Sequence, residues 1–392
     1  MITKELHEEY LSQSRVSSAG KCLYQYQLIH VEKLVRRWSP APLRRGTLVH
    51  AGFEAALLWD WAARHLGAFG DHGNEYAAHN SPDFHLDQML AMGEEAIRLK
   101  QAEWLSDARV APAVDDFMRE SADRLVEDSI KIFRRSFTAI GVHTGKWKTV
   151  AVPGTLQPFV EYPMTVPFEG WAGFRGTLDW VAMDENGHVW LWDFKTRKAI
   201  QPHDYDRLQI QAPCYQMLLK ETLGLELVGS ITYQIRAAIR KQPKMNSRKT
   251  KQPDGTMAIG MSRAAVTTDW ATYRQALLDN DLDPDMYLDM KDKLPASFDV
   301  VSQYYRGPRE AAEVWNTVLD TVDMMEAAHA QNKFPRNISP FTCRGCSHRS
   351  YCEADLQDED LEVLRNTEYM REDEDNRYEP ITFINGDEDS GD

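Results

Sequence analysis

Residues 43–65 (LRRGTLVHAGFEAALLWDWAARH) place apolar side chains at helical spacing, which predicts an amphipathic helix entered through Gly46 and Thr47, with Thr47 as N-cap. Residues 20–38 show aromatic and apolar positions at the same period, and residues 84–140 are helical again. Between them, 67–83 (GAFGDHGNEYAAHNSPD) is polar and turn-rich and predicts a loop. From 147 to 195 the period shortens to two, with β-branched and aromatic residues alternating around Pro and Gly breaks, so this region predicts strands. A helix at 204–223, a strand near 228–239, a basic loop, a strand near 257–268 and helices to about 332 complete the pattern, with no internal repeat.

The chain has 392 residues, 43% of them hydrophobic, and its 11 Trp, 15 Tyr and 14 Phe supply enough bulky surface for a sizeable core. A mostly disordered chain is thereby excluded. No apolar run approaches the roughly 20 residues that span a bilayer, and MITKELHEEY lacks a secretory pattern, so no membrane partner and a cytoplasmic location are expected. Five cysteines favour metal or redox use over a disulfide framework. The net charge of −15 is concentrated at the end: residues 357–392 hold 14 Asp or Glu against three Arg, which leaves the body near neutral. That tail reads as a solvated, disordered acidic segment, either for solubility or for a partner.

The most informative stretch is GTLDWVAMDENGHVWLWDFKT, residues 176–196, a β-hairpin with DENG at its tip. A two-residue turn would pair Asp179 with Phe194 and send Asp193 to the other face. A three-residue loop with Gly187 in the left-handed conformation puts Asp179 opposite Asp193, with Lys195 on their face. Trp190, Trp192 and Phe194 alternate with Val189 and Leu191, so both faces are apolar and the strand should be central. Two carboxylates at one point suit a hard cation such as Mg²⁺ or Mn²⁺, while an isolated Asp-x-Lys can also be a plain ion pair.

Asp179, then Asp193-Phe194-Lys195, then Gln211-x-x-x-Tyr215 resemble the RecB-like branch of the PD-(D/E)XK nuclease superfamily, in the family order. The resemblance implies that the two acidic residues hold the metal, Lys195 assists the attacking water, and Gln211 and Tyr215 position the site or the DNA. Gln211 and Tyr215 are four apart and share a helix face, although Pro213 between them leaves open whether Gln209 or Gln211 faces the site. Upstream, Gly46-x-x-x-His50-x-x-x-Glu54 is similar to the family's N-terminal motif, which implies His50 as a further metal ligand, with the Phe194 carbonyl as another.

Cys343-x-x-Cys346-x₅-Cys352 lies near the C-terminus and Cys22 far upstream. By spacing, zinc held by Cys343, Cys346, His348 and Cys352 is one reading. The arrangement resembles the iron–sulfur site of the CRISPR-associated RecB-like exonucleases and AddB-type nuclease subunits, which implies a [4Fe–4S] cluster on Cys22, Cys343, Cys346 and Cys352 that clips the two ends together. Cys214 reads as a small buried hydrophobe.

For DNA contact the best stretch is Arg236, Arg240, Lys241, Lys244, Arg248, Lys249 and Lys251, seven basic residues with no acidic one among them. Arg44, Arg45, Arg175, Arg197 and Lys198 flank the site and extend a positive channel, and Tyr24, Tyr26, Trp59 and Trp61 are candidates for stacking on unpaired bases, although most of them read as core. The resulting expectation is an α/β or α+β, restriction-endonuclease-like fold, a mixed central sheet flanked by helices. It comprises an N-terminal helical region (1–145), a nuclease core (146–335) with a basic hairpin insert (236–256), a C-terminal iron–sulfur segment (336–356) and an acidic tail (357–392). The implied function is a metal-dependent DNA exonuclease acting on single strands or ends, in recombination, repair, viral DNA metabolism or CRISPR adaptation, with a protein partner such as an integrase complex. The rival is a non-catalytic DNA-binding or assembly subunit.

Overall fold

A computed structural model describes residues 8–36, 41–65, 82–106, 116–251, 255, 257–263 and 267–371. Most of the loop expected at 67–83 and the final acidic stretch from 372 lie outside these residues. The chain begins with β1 (Tyr10–Ser12), α1 (Gln13–Lys21), α2 (Leu23–Tyr26), a π-helical turn (Gln27–Val31) and β2 (Leu34–Arg36). Three long helices follow: α3 (Ala41–His65), α4 (Pro82–Ser106) and α5 (Asp116–Ile140). Next come β3 (Trp147–Thr149), β4 (Val160–Val166), β5 (Gly173–Asp184), β6 (Val189–Arg197), α6 (His203–Arg207), α7 (Gln211–Leu223) and β7 (Gly229–Arg236). The remainder is β8 (Thr250–Lys251), β9 (Met257–Ala258), α8 (Trp270–Leu278), α9 (Leu288–Lys293), β10 (Val300–Tyr305), α10 (Pro308–Gln331), α11 (Pro340–Cys343), α12 (Arg349–Leu356), α13 (Leu361–Thr367) and β11 (Tyr369–Arg371).

A mixed sheet in the order β1-β5-β6-β7-β10, with β3 and β4 also paired to β5, forms the centre. The strand pattern read at 147–195 is therefore borne out, and β6 is central as its two apolar faces require. One face carries Trp180, Trp192, Phe194 and Tyr233 under Phe53 of α3 and Phe133 and Phe137 of α5. On the other, Leu178, Val181 and Leu191 meet Cys214, Tyr215, Leu218 and Leu219 of α7 and Val318 and Met325 of α10. Burial of these large side chains, at about 1.5–3 kcal/mol each, holds helices to both faces.

The hairpin adopts the three-residue loop. Asp184 N–H donates to the His188 carbonyl at 2.9 Å, its Oδ1 accepts from the Asn186 and His188 N–H groups at 2.9 Å each, and Gly187 takes φ 83°. Trp180 then pairs with Trp192, and one step further along this register puts Asp179 opposite Asp193.

Several boundaries differ from the sequence pattern. The helix expected to start at Thr47 begins at Ala41, and Thr47 Oγ1 donates to the Leu43 carbonyl inside it, so Thr47 is not the cap. The single helix expected over 20–38 is two short helices, a π turn and β2, because β2 is recruited by β11. The basic insert is larger than 236–256. It runs from β7 to β10, its basic residues lead into the short β8–β9 hairpin, and Met261, Tyr273, Leu277, Tyr287 and Met290 give it a small core of its own. Its neck is tied by Asp299, which pairs with Arg135 at 2.8 Å and accepts the Arg236 N–H at 2.9 Å. The tail expected to be disordered from 357 instead folds through 371 as α13 and β11, since Tyr369 is fully buried against Leu28, Leu34 and Tyr351. Among the described residues, no helix is long and apolar enough to cross a membrane.

Candidate metal centre and catalytic cluster

The site lies where the sheet splits. Phe174 and Arg175 pair with both β1 and β4, and Trp180 with both β4 and β6, so β1 and β6 share one edge of β5. Between them, residues 176–179 have no ladder partner on that edge, and Asp179 falls in the gap. On the other edge the β4–β5 ladder skips the Glu161–Asp179 position, and Glu161 has φ 41°. Leu178 and Trp180, two residues apart, pack on opposite faces, as do Tyr162 and Val160. Both strands lose their alternation here, the kind of local distortion that re-aims side chains at functional sites.

Asp179 Oδ2 accepts the Phe194 N–H at 2.7 Å, a bond that fills the missing rung. His50 reaches the same point from α3: its Nε2 lies 2.8 Å from the Phe194 carbonyl oxygen and its Nδ1 3.3 Å from Glu161 Oε1. Among the described residues, His50, Glu161 and Asp179 are the group of three such donors with ligand atoms within 4.8 Å of one another. The Asp179 carboxylate, the His50 imidazole and the Phe194 carbonyl make a donor set that fits a hard divalent cation, with Glu161 against the far nitrogen of the His50 ring. Glu161 was not singled out from sequence. Its signal, an acidic residue inside the apolar strand VEYPMTV, is common, and what gives it meaning is the long-range register opposite Asp179.

Electrostatics support that assignment. Burial pushes the Asp179 carboxyl up to about 7, with Glu161 and Asp193 adding to the rise and His50 opposing it. Burial lifts Glu54 to about 7, with Glu161 adding to it. Burial disfavours the charged His50 ring, but its bond to Glu161 and the charges of Asp179 and Glu161 outweigh this and raise it to about 9. The cluster thus holds more negative groups than it can ionise comfortably, the situation a divalent cation relieves.

On the α7 side, Lys195 Nζ lies 2.7 Å from Asp193 Oδ1 and donates to Gln211 Oε1 at 3.0 Å. Burial opposes the Lys195 charge, but Asp193 and Asp179 outweigh it and raise its pKa. Gln211 is the first residue of α7, so Pro213 sits in the first turn, where its missing N–H costs no helical bond. Gln209 is exposed and donates to the Tyr205 carbonyl, so Gln211 faces the site. Tyr215 packs on Gly176: a Cβ there would come within 2.6 Å of the Tyr215 hydroxyl. Beyond Lys195, Arg197 grips buried Asp206 with two bonds of 2.9 and 2.5 Å, which pins α6 beside the cluster. The structure therefore brings together His50, Asp179, Phe194, Asp193, Lys195, Gln211 and Tyr215, with Asp193 turned to Lys195 and Glu161 closest to His50.

The basic residues divide. Arg236 packs over Phe298 and Arg240 pairs with buried Asp269, whereas Lys241, Lys244, Arg248 and Lys249 are exposed; the Lys251 side chain lies outside the described residues. The flanking arginines are engaged in structure: Arg44 over Trp104, Arg45 with Asp128, Arg175 over Tyr10.

Cys22, Cys343, Cys346 and Cys352 line one cavity of about 600 Å³ at the meeting of the chain ends. Asn337 N–H donates to Cys22 Sγ at 3.3 Å, and Arg336 bonds Cys352. His348 also lines the cavity, but its Nε2 donates to the Leu34 carbonyl at 2.7 Å and its Nδ1 lies 2.9 Å from Ser347 Oγ, so neither nitrogen is offered to a zinc ion. Cys214 is buried, which pushes its thiol up to about 12, as a hydrophobe's would be.

No curated protein matches the chain. The family model of the PD-(D/E)XK nuclease superfamily matches residues 10–353, a span that takes in His50, Glu161, Asp179, Asp193, Lys195, Gln211 and all five cysteines. The chain belongs to the PD-(D/E)XK nuclease superfamily.

Proposed function

We propose that this protein is a RecB-like, metal-dependent DNA exonuclease that hydrolyses phosphodiester bonds at single-stranded DNA or DNA ends. The observation that carries the reading is the joint placement of Asp179, Asp193, Lys195 and Gln211 at the split edge of the sheet, with His50 brought to it from α3. A retired site would have no need to keep an ammonium between a carboxylate and an amide at 2.7 and 3.0 Å. His50, Asp179 and Asp193, with the Phe194 carbonyl, would hold Mg²⁺ or Mn²⁺. Such a cation polarises the phosphate and lowers the pKa of water. The chain's own groups do the rest: Lys195 sets the attacking water and offsets charge growing on phosphate, Gln211 fixes the Lys195 ammonium, and Tyr215 with Gly176 sets the position of α7. Lys241, Lys244, Arg248 and Lys249 would track the DNA backbone.

The cysteine cavity would hold a [4Fe–4S] cluster. Support comes from four cysteines around one cavity at the meeting of the chain ends, with the fifth possible zinc ligand, His348, engaged elsewhere through both ring nitrogens. Free thiols throughout fit a reducing compartment such as the cytoplasm. The chain ends are also joined by the β2–β11 pair and by Tyr24 to Asp355 at 2.5 Å, so the cluster would add to an existing clasp.

The test is degradation of end-labelled single- and double-stranded DNA with Mn²⁺ or Mg²⁺ by anaerobically purified protein, against Asp193→Ala and Lys195→Ala. Metal-dependent cleavage lost in both variants is the expected result, and the products report polarity. DNA binding without cleavage by the intact wild type would replace this reading with a binding subunit that works in a larger complex.

A further inference from the structure

We infer that Glu161 is a positioning residue for the metal centre: its carboxylate takes the Nδ1–H of His50 and so presents Nε2 to the cation. The inference rests on the metal-centre reading above and assigns the part of the cluster that the sequence motifs do not cover. An imidazole offers one lone pair, and the nitrogen that carries it is decided by what the other nitrogen donates to. Nδ1 of His50 lies 3.3 Å from Glu161 Oε1, while Nε2 lies 2.8 Å from the Phe194 carbonyl oxygen. Two donors about 3 Å apart match neighbouring corners of an octahedral Mg²⁺ site with bonds near 2.1 Å. Without a cation, Nε2–H donates to that carbonyl and Nδ1–H to Glu161; an ion held between Nε2 and the carbonyl would displace only the Nε2 proton, and Nδ1 is left to Glu161.

The backbone argues the same way. Glu161 holds φ 41°, a conformation that a non-glycine residue keeps only when its surroundings impose it. In regular β geometry the β4–β5 ladder would include a Glu161–Asp179 pair, and both strands instead lose alternation there. The distortion turns the Glu161 side chain to a half-buried place beside His50, at 23% exposure, rather than to solvent. The His50 ring is fixed from a third side by its edge-on contact with Phe194, 6.1 Å between centroids at 82°.

The experiment measures Mn²⁺ binding to the full chain by calorimetry for wild type, Glu161→Gly, Glu161→Gln, His50→Ala and the His50→Ala/Glu161→Gly double variant, with thermal melting alongside. Glycine accepts positive φ, which offsets the lost pairing with His50, so Glu161→Gly keeps the fold and its melting midpoint should change little. Its Mn²⁺ affinity should drop about 10- to 100-fold, the usual effect of losing a ligand's orienting partner. Glu161→Gln, which keeps an acceptor oxygen, should recover part of the loss. In the His50→Ala background the glycine change should cost at most about two-fold, because Glu161 acts through His50. Losses that multiply in the double variant would make Glu161 a ligand in its own right and overturn the inference. So would a lower melting midpoint with unchanged Mn²⁺ affinity, which marks a purely structural role. A metal-free readout judges the contact independently: the His50 Nδ1–H proton resonance, present in wild type, should vanish in Glu161→Gly. If it is unchanged, the inference fails. A wild type that binds no Mn²⁺ would overturn the metal-centre reading, while the imidazole proton still decides the Glu161 contact.

Discussion

Gly176→Ala tests how closely the helix that carries Gln211 is seated on the sheet. A Cβ at 176 would lie 2.6, 2.7 and 2.8 Å from the Tyr215 hydroxyl, Cε1 and Cζ. Ordinary contact begins near 3.5 Å, so the ring must retreat by roughly 0.8 Å or more. It has nowhere to go by rotation, since Tyr215 is 6% exposed and its helical neighbours Cys214, Leu218 and Leu219 are buried. Helix α7 must shift as a body. Overpacking of this kind costs about 1–3 kcal/mol. Replacing a strand glycine by alanine returns about 0.5–1 kcal/mol, which offsets only part of that. The shift also withdraws Gln211 Oε1 from Lys195 Nζ, now 3.0 Å away, and a displacement near 1 Å at a reacting centre can cost on the order of 100-fold in rate. Urea unfolding and end-labelled DNA cleavage are the assays. Gly176→Ala should lower the midpoint and cut the rate, while in a Tyr215→Ala background the same change should cost little stability, because the colliding ring is gone. Wild-type stability and rate in Gly176→Ala, or additive losses in the double variant, would refute the reasoning.

Further expectations concern charge and metal. Without a divalent cation, Asp179 and Glu54 titrate near 7 and His50 near 9 in the folded chain, each above its unfolded value. The folded state then binds more protons between about pH 4 and 9, so this cluster's contribution to stability falls as pH rises through that window. Metal-free melts at pH 5 and 9 should show a lower midpoint at pH 9, with a smaller difference in Asp179→Asn; an equal or larger difference in that variant contradicts the assignment. Replacing Lys241, Lys244, Arg248 and Lys249 by Ala should weaken single-stranded DNA binding across sequences and flatten its log–log salt dependence by up to about 3, from about 0.7 per phosphate contact. An unchanged slope would move the DNA path elsewhere. Anaerobically purified wild type should carry about four irons per chain with visible absorbance, both lost in Cys346→Ser, whereas Cys214→Ser should keep them; one zinc per chain in place of iron would remove the cluster.

Much of the site is legible in the chain because its chemistry is local. Asp193 and Lys195 share a face by the period of two, Gln211 and Tyr215 by the helical repeat, and the Glu185-Asn186-Gly187 loop confines the hairpin to two registers. The α/β class, the strands from 147 to 195, the helices on either side and a central β6 follow from periodicity alone. Choosing between the two hairpin registers needed the Asp184 side chain to cap the turn and Gly187 to take positive φ. The position of β10 was obscure because its pairing with distant β7, not propensity, decides it. Glu161 was invisible for the same reason. Its role depends on lying across from Asp179 in a ladder that both strands interrupt, and on His50 arriving from a helix 111 residues away in sequence. Spacing along the chain determines which residues share a face; only the packed sheet, split between β1 and β6, decides which faces meet, because pairing across strands is set by the burial of whole surfaces and leaves no mark at any single position.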